Sequence, residues 1–401
     1  MTKLPMNKSD IQEQPPGFSL VLGGPLYRFW RWAQLSGSEM ELLSRRVLVI
    51  TALAWLPLLL LSLYEGTASR GIVKIPFSLD VAVQARFLVA LPILLIADLI
   101  IHQRIGPRIQ NFLTRNIITG GEIPKFRSAI DSARRMQNSA WLEIGLIILV
   151  YTVGVLSWRR QMAYAAPSWH ANPDGTNLNL TLAGYWLAFV SVPIFQFILV
   201  RWYARFLIWF WFLWRVSRLK LNLIPTHPDR AGGIGFLGKA TYSFGTILFV
   251  QGVLLSGFIA NLVLHSGRNL LEFRVQAAIY IIFFIAAVFA PLVVFVPPLL
   301  SAKRGGLGAY GLLASRYTEG FAKKWIQGVN PEGDELLGSA DIQSLADLGN
   351  SYSLVRAMRI TPFGLQDMLL LAVVTAAPLL PLLLFIFSLE ELVDKLLQVI
   401  L

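Results

Sequence analysis

Long apolar runs recur along this chain of 401 residues, and they constrain its fold more than any other feature. A helix that crosses a bilayer needs about 20 consecutive, mostly apolar residues, and several of the runs reach that length. Only 14% of the residues are charged, compared with about 25% in a typical soluble domain. A soluble protein of this composition would expose too much apolar surface to water. We therefore predict an all-α, polytopic membrane helix bundle.

The runs predict about seven transmembrane helices, which form a single bundle over residues 47–401. The last one is interrupted by Pro378 and Pro381. Residues 1–46 are predicted to be a cytoplasmic tail with an interfacial helix, because residues 27–32 interleave aromatic side chains with arginines. The predicted spans cover approximately residues 47–64, 85–101, 141–157, 182–200, 243–264, 275–299 and 368–387.

The distribution of basic residues predicts the orientation of the bundle. With the N-terminus inside, the inner segments carry 27 of the 35 lysines and arginines and the outer segments carry 8. The positive-inside rule therefore favours an N-in, C-out topology. The inner segments 102–140, 201–242 and 300–367 are predicted to be helical cytoplasmic extensions of the bundle. Because topology accounts for the net charge of +12, we expect no nucleic-acid partner.

The most polar and glycine-dense stretch between two apolar runs is residues 224–238. Its sequence Thr-His-Pro-Asp-Arg-Ala-Gly-Gly-Ile-Gly-Phe-Leu-Gly, at 226–238, resembles a stretch of an uncharacterised family of bacterial multi-pass inner-membrane proteins. Residues 341–350, 358–363 and 24–27 carry the same resemblance. The resemblance implies a multi-pass protein of the bacterial inner (cytoplasmic) membrane. It brings no assigned activity, so no catalytic or binding residue is carried over from it.

The pattern Gly-Gly-x-Gly-x-x-Gly occurs twice, at 232–238 and 305–311, each time just after an arginine. Glycines allow turns that expose successive backbone N–H groups, and such groups near a helix start and an arginine form an anion site. The alternative is that these glycines permit tight turns and close helix contacts. The candidates for contact with an ion, a phosphate-bearing ligand or an anionic lipid head group are His227, Asp229, Arg230, Gly232, Gly233, Gly235, Arg304, Gly305 and Gly306.

Two residues just before the first pattern have a second interpretation. His227 and Asp229 could act as a proton-relay or ion-contact pair that faces the bundle interior. They could equally be helix punctuation, with Asp229 at the positive end of the helix dipole.

Charged residues inside the predicted spans are functional candidates, because hydrocarbon disfavours them. Asp98, Glu143, Arg201 and Arg205 all lie toward the inner side, and the two arginines are four residues apart on one helix face. These residues could pair across helices. The alternatives are snorkelling of the arginines to the interface and, for Asp98 and Glu143, a position at the helix end that the lipid head groups hydrate. Prolines interrupt most of the spans, which indicates either simple kinks or the broken helices with which transporters bind ions.

Other chemistry is sparse in this sequence. The absence of cysteine excludes disulfides, thiolate metal sites and cysteine nucleophiles. The four histidines match no metal-ligand spacing, and we predict no metal, no cofactor and no catalytic residue. His-Pro-Asp at 227–229 is the tripeptide of J-domain co-chaperones, and 233–238 satisfies Gly-x-Gly-x-x-Gly. Neither lies in the soluble helical hairpin or the βαβ unit that those motifs require.

These observations predict an integral membrane protein that is channel-like or transporter-like for a small ion or solute, with the lipid bilayer, including anionic lipid, as its environment. The alternative is a membrane scaffold or sensor whose cytoplasmic helices, in 102–140 and 300–367, bind a partner protein or a second copy of the chain. A third hypothesis is an enzyme for lipid-linked substrates that uses His227 and Asp229. It has the least support, because no carboxylate cluster or metal set accompanies these two residues.

Overall fold

The computed structural model describes residues 43–69, 73–154, 168–174, 177–328 and 339–385. Within these residues the chain is mainly helical and has one short β-hairpin, which confirms the all-α prediction. The predicted N-terminal tail with its interfacial helix, up to residue 42, lies outside them. The helices are α1 (Leu43–Tyr64), α2 (Val81–Thr114), α3 (Ile123–Gln137), α4 (Ala140–Leu149), α5 (Leu182–Ser217), α6 (Phe236–Ser266), α7 (Leu270–Val293), α8 (Val296–Phe321), α9 (Ala340–Arg356) and α10 (Leu365–Phe385).

Six helices of the described part of the chain are long and apolar enough to cross a membrane, namely α1, α2, α5, α6, α7 and α10. A seventh is reached if the bent pair Gly120–Gln137 and Ala140–Gly154, which meet at 47°, forms one span. The predicted span 141–157 corresponds to α4 and its π-helical continuation Val150–Gly154. Its last three residues lie outside the described ranges. The chain is therefore a multi-pass integral membrane protein.

The spanning helices α2 and α5 are longer than a bilayer requires. They contain 34 and 36 residues, whereas about 20 residues cross the hydrocarbon core. The additional turns extend the bundle at the end that carries residues 102–140, 201–242 and 300–364. We call this end the inner end, because the distribution of basic residues predicts that it faces the cytoplasm.

The chain breaks between α7 and α8 earlier than the predicted span 275–299 allows. Helix α7 ends at Val293 and α8 begins at Val296, so Pro297 and Pro298 fall in the first turn of α8. A proline is tolerated there because the first N–H groups of a helix have no intrahelical partner. Helix α8 then runs without interruption through residues 305–311, so the second glycine pattern is helical and does not form a turn.

Side chains from neighbouring helices satisfy carbonyl groups that two prolines release. Pro57 has no N–H to donate to the carbonyl of Leu53, and the indole Nε1 of Trp186 donates to that oxygen at 3.3 Å. Pro193 likewise releases the carbonyl of Phe189. The hydroxyl of Tyr151 donates to it at 3.3 Å. At both prolines a side chain of a neighbouring helix therefore replaces the missing backbone donor, which is compatible with a simple kink.

The opposite, outer end is closed by a β-hairpin and a buried carboxylate. Strand β1 (Ala171–Asp174) pairs antiparallel with β2 (Asn177–Leu180). Just before β1, the indole Nε1 of Trp169 donates to Asp80 at 3.0 Å, and Nδ2 of Asn261 on α6 donates to the same carboxylate at 2.8 Å. Burial lowers the pKa of the adjacent His170 to about 4, although the negative charge of Asp80 opposes the shift. This arrangement joins the outer connection to the bundle.

Candidate functional site at the inner end

A buried carboxylate joins three helices at the inner end of the bundle. Asp98 of α2 accepts a hydrogen bond from Nη1 of Arg205 on α5 at 2.6 Å and another from Nη2 of Arg46 on α1 at 3.0 Å. The side chains of Arg46, Asp98 and Arg205 are 2%, 9% and 6% exposed. Arg46 Nη2 also donates to the carbonyl of Leu95 at 3.0 Å.

A second buried pair lies one helical turn before Arg205. Arg201 Nη2 is 3.2 Å from Glu143 Oε1, and these side chains are 11% and 9% exposed. Glu143 is in the first turn of α4, so this pair attaches α4 to α5. The four charged residues that the sequence singles out in the spans are therefore arranged as two ion pairs.

Arg46 is the member of this cluster that the sequence did not single out. In the sequence it is one of two adjacent arginines that flank the first span, which is typical of solvated interfacial residues. In the fold its side chain points into the bundle, and its Nε has no hydrogen-bond partner among the described residues. Removing one partner of a buried ion pair is costly, because the other charge stays in a medium of low dielectric constant.

Asp229 organises the loop before α6, because its carboxylate binds the glycine-rich turn of the same loop. Its Oδ1 accepts the N–H groups of Ala231 at 2.8 Å and Gly233 at 3.1 Å, and its Oδ2 accepts that of Gly235 at 2.9 Å. Gly232 and Gly233 have φ values of +63° and +98°, which favour glycine. The glycine pattern thus does form an anion nest, but the anion in it is the carboxylate of Asp229.

The same contacts account for the ionisation of Asp229. Burial favours the neutral acid, but hydrogen bonds from Ala231, Gly235 and Gly233 outweigh it, and the pKa of Asp229 lies below its usual value. His227 Nδ1 is 2.9 Å from Asp229 Oδ1, so the histidine and the aspartate are in contact. The pair stands in a loop that precedes α6 and does not begin a helix.

The second glycine pattern contacts the loop before α6 through one residue. A Cβ atom added to Gly306 of α8 would lie 2.7 Å from Cβ of Pro225 and 3.0 Å from Cγ1 of Val355. Gly306 therefore allows α8, α9 and the loop to approach closely. Arg304 and Gly305 lie on the exposed side of α8, and the side chain of Arg230 is exposed on the loop.

Beside the Asp229 turn lies a cleft of about 500 Å³ that the sequence did not predict. Three cationic side chains from separate elements line it, namely Arg115 after α2, Lys239 in the first turn of α6 and Arg359 after α9. The guanidinium of Arg115 stands over the ring of Phe236, with 5.2 Å from Cζ to the ring centroid. Arg359 Nη2 donates to the carbonyl of Asp229 at 3.1 Å.

Both carboxylates that line this cleft are engaged by other groups. Asp229 accepts the three backbone N–H groups described above. Asp367 Oδ2 accepts the N–H of Gly364 at 2.7 Å, and its Oδ1 accepts the hydroxyl of Tyr242. No group of three or more histidine, aspartate or glutamate side chains in the described part of the chain could hold a metal ion. With three cationic and two acidic side chains in its lining, the cleft has a formal excess of one positive charge, and its acidic oxygens already accept hydrogen bonds.

Comparison of the chain with protein-family models, curated proteins and solved structures found no match. The resemblance to a bacterial inner-membrane family stays a prediction.

Proposed function

We propose that this integral membrane protein is transporter-like or channel-like for a small anion, and that the anion first binds in the inner cleft. The observation that carries the proposal is the convergence of Arg115, Lys239 and Arg359 on one cleft whose carboxylates already accept other hydrogen bonds. Guanidinium and ammonium groups donate several hydrogen bonds to an oxyanion and neutralise its charge. Of the hypotheses drawn from the sequence, an anion as ligand agrees best with this geometry.

The buried cluster next to the bundle interior favours an anion over a cation. The described side chains of this cluster are three arginines and two carboxylates, namely Arg46, Arg201, Arg205, Asp98 and Glu143. The excess of positive charge raises the electrostatic potential of the inner half of the bundle, where the low dielectric constant keeps it effective. A cation that approached from the inner end would be repelled by both the cleft and this cluster.

Binding and flux test the proposal separately. Inorganic phosphate, sulfate and chloride are titrated against the purified protein by calorimetry, and their flux is followed in proteoliposomes. The variant Arg115→Gln/Lys239→Gln leaves Arg359, which anchors the loop, in place, and we expect it to weaken oxyanion binding about tenfold or more. The matched control Arg316→Gln/Arg356→Gln removes the same charge from exposed positions of α8 and α9.

Equal binding by the cleft variant and its parent would overturn the cleft as the binding site. Binding without flux of any of the three anions would overturn transport and leave an anion-responsive sensor. The variant Arg230→Gln/Arg304→Gln asks whether the site extends to the two glycine patterns.

A second candidate is the scaffold or sensor, which the shape of α8 and α9 favours. The two helices pack mainly on each other, and few of their residues are buried: Leu299, Gly306 and Val355. At 1.5 Å per residue, the 26 residues of α8 extend roughly 39 Å from the inner end. Leu312 and Leu313 are 55% and 52% exposed on it. Such a hairpin suits a partner protein or a second copy of the chain.

Because the chain contains no cysteine, Leu312→Cys provides one cross-linking position in intact membranes. A product of twice the chain mass indicates a second copy, and a discrete larger product with another protein indicates a partner. The absence of both, with the same result for the control Lys323→Cys, would overturn the scaffold hypothesis.

A further inference from the structure

A second cleft, of about 650 Å³, lies between α3 and the inner end of α5. Helix α3 contributes Lys125 and Ser128, and α5 with its C-terminal extension contributes two tryptophans and two arginines. Each tryptophan precedes one of the arginines by four residues, so the four lie on one helix face: Trp211, Trp214, Arg215 and Arg218. The cleft shares no lining residue with the one beside Asp229.

Both arginines are held against aromatic rings. Arg215 Cζ lies 5.1 Å from the ring centroid of Trp211, and Arg218 Cζ lies 5.4 Å from that of Trp214. No carboxylate in the described part of the chain pairs with either guanidinium within 4.0 Å. A guanidinium that stacks on an indole keeps its N–H edge free to bind an oxyanion, so the two groups are arranged in advance for such a ligand.

An exposed apolar stripe runs along α5 up to this cleft. Leu207, Phe210 and Trp214 are 63%, 37% and 44% exposed, and their spacing places them on one face of the helix. An exposed apolar stripe on a spanning helix contacts lipid, and tryptophan is enriched where the stripe reaches the membrane interface. Arg215 and Arg218 follow within the next turn, where this exposed apolar stripe ends.

Helix α3 closes the other side of the cleft as an amphipathic helix. Its buried face includes Phe126 and Ile130, and the ring centroid of Phe126 lies 6.0 Å from that of Phe212 on α5. Lys125 Nζ, which is 2.9 Å from Glu122 Oε1, is 65% exposed at the rim. A helix of this kind, with one apolar face and a basic polar face, is typical of the membrane interface.

From these observations we propose that the cleft binds the phosphate group of an anionic phospholipid of the inner leaflet. The guanidinium edges of Arg215 and Arg218 donate to the phosphate oxygens, and Lys125 and Ser128 supply further donors. The indole faces of Trp211 and Trp214 contact the glycerol and the first methylene groups of the acyl chains. The lipid would fix α3 against α5, and this role does not depend on anion binding beside Asp229.

Native mass spectrometry of the purified full-length protein, exchanged from nanodiscs that contain equal amounts of phosphatidylglycerol and phosphatidylcholine, tests this assignment. We expect the parent protein to retain phosphatidylglycerol preferentially. Arg215→Gln/Arg218→Gln should weaken its binding up to about 25-fold, since each arginine near the surface contributes roughly fivefold. Arg316→Gln/Arg356→Gln, with the same loss of charge in α8 and α9, should leave it unchanged.

The variant Arg215→Lys/Arg218→Lys keeps the charge but loses the stacked planar groups, and we expect an intermediate occupancy. If the glutamine variant fails to fold, the lysine variant takes its place in the comparison with the parent protein. A parent that binds the two lipids equally, or a glutamine variant that retains phosphatidylglycerol as the parent does, would overturn the proposal. Inorganic phosphate that binds to this cleft and displaces no lipid would instead indicate a soluble phosphate ligand, which also overturns it.

Discussion

Asp98 and Arg205 are 107 residues apart in the chain, and their Oδ1 and Nη1 atoms lie 2.6 Å apart inside the bundle. The same carboxylate contacts Arg46, so one aspartate joins α1, α2 and α5 at the inner end. The charged residues that hydrocarbon disfavours are here used to connect helices.

Asp98→Asn should therefore be strongly destabilising. The substitution removes the negative charge that Arg46 and Arg205 both contact, and the loss of one partner from a buried pair costs about 3–5 kcal/mol. The free energy of unfolding in detergent measures the effect. Glu319→Gln on α8, which breaks an exposed pair with Lys323, is the control and should unfold as the parent does.

The pair Glu143–Arg201 predicts a rescue by charge reversal. Glu143→Arg and Arg201→Glu should each reduce the yield of folded protein, because each brings like charges together across α4 and α5. The double variant restores opposite charges at the same contact and should recover most of the yield. Size-exclusion chromatography in detergent measures the folded fraction, and a double variant that is no better than the singles contradicts the pairing.

Asp229→Asn should loosen the loop before α6. An asparagine lacks the charge and one acceptor oxygen, so backbone N–H groups of the turn lose their partner at a cost of about 1–3 kcal/mol. Hydrogen exchange at the amides of Gly233 and Gly235 should accelerate. Asp131→Asn, at an exposed position of α3, should leave these amides unchanged.

Asp229 also predicts a pH dependence of the same amides. Its pKa is lowered by folding, so its contribution to stability is complete above the unfolded pKa of about 4. The contribution is lost as the pH falls through the lower folded pKa. Protection of Gly233 and Gly235 should therefore be constant between about pH 5 and pH 7 and fall in stronger acid. Loss of protection already at pH 6 would assign it to another group.

Adjacent glycines of α8 should respond differently to alanine. At Gly306 a Cβ would lie 2.7 Å from Pro225, whereas at Gly305 it would meet nothing within 4 Å. Gly306→Ala should destabilise the protein by about 1–3 kcal/mol through overpacking. Gly305→Ala should raise stability by about 1 kcal/mol or less, because alanine favours a helix. Thermal unfolding of the two variants compares the positions, and similar effects would contradict the close contact at Gly306.

Trp186 and Pro57 should be energetically coupled. Trp186→Phe leaves the carbonyl of Leu53 without its donor, at a cost near the ~0.6 kcal/mol average for hydrogen bonds between membrane helices. Pro57→Ala restores an N–H that can bond the same carbonyl within α1, so Trp186→Phe should cost less in that background. A double-mutant cycle of unfolding free energies measures the coupling, and additive effects would contradict the contact.

The sequence alone determined the class of this protein, because the length of an apolar run and the placement of basic residues are local properties of the chain. It also identified the glycine turn at 232–235 and the four charged residues of the spans. It left open whether the second glycine pattern binds an anion, bends the chain or allows a close helix contact, because the partner of Gly306, Pro225, is 81 residues away.

Only the tertiary structure decided what those residues contact. Asp229 occupies the nest that was expected for a ligand, since an aspartate close in sequence reaches the N–H groups at little entropic cost. Arg46 turns inward because Asp98 offers it a buried partner. The cleft of Arg115, Lys239 and Arg359 joins elements that are far apart in the chain, so no local pattern signals it. Fold class follows from local hydrophobicity, whereas a site depends on which distant side chains the packing of helices brings together.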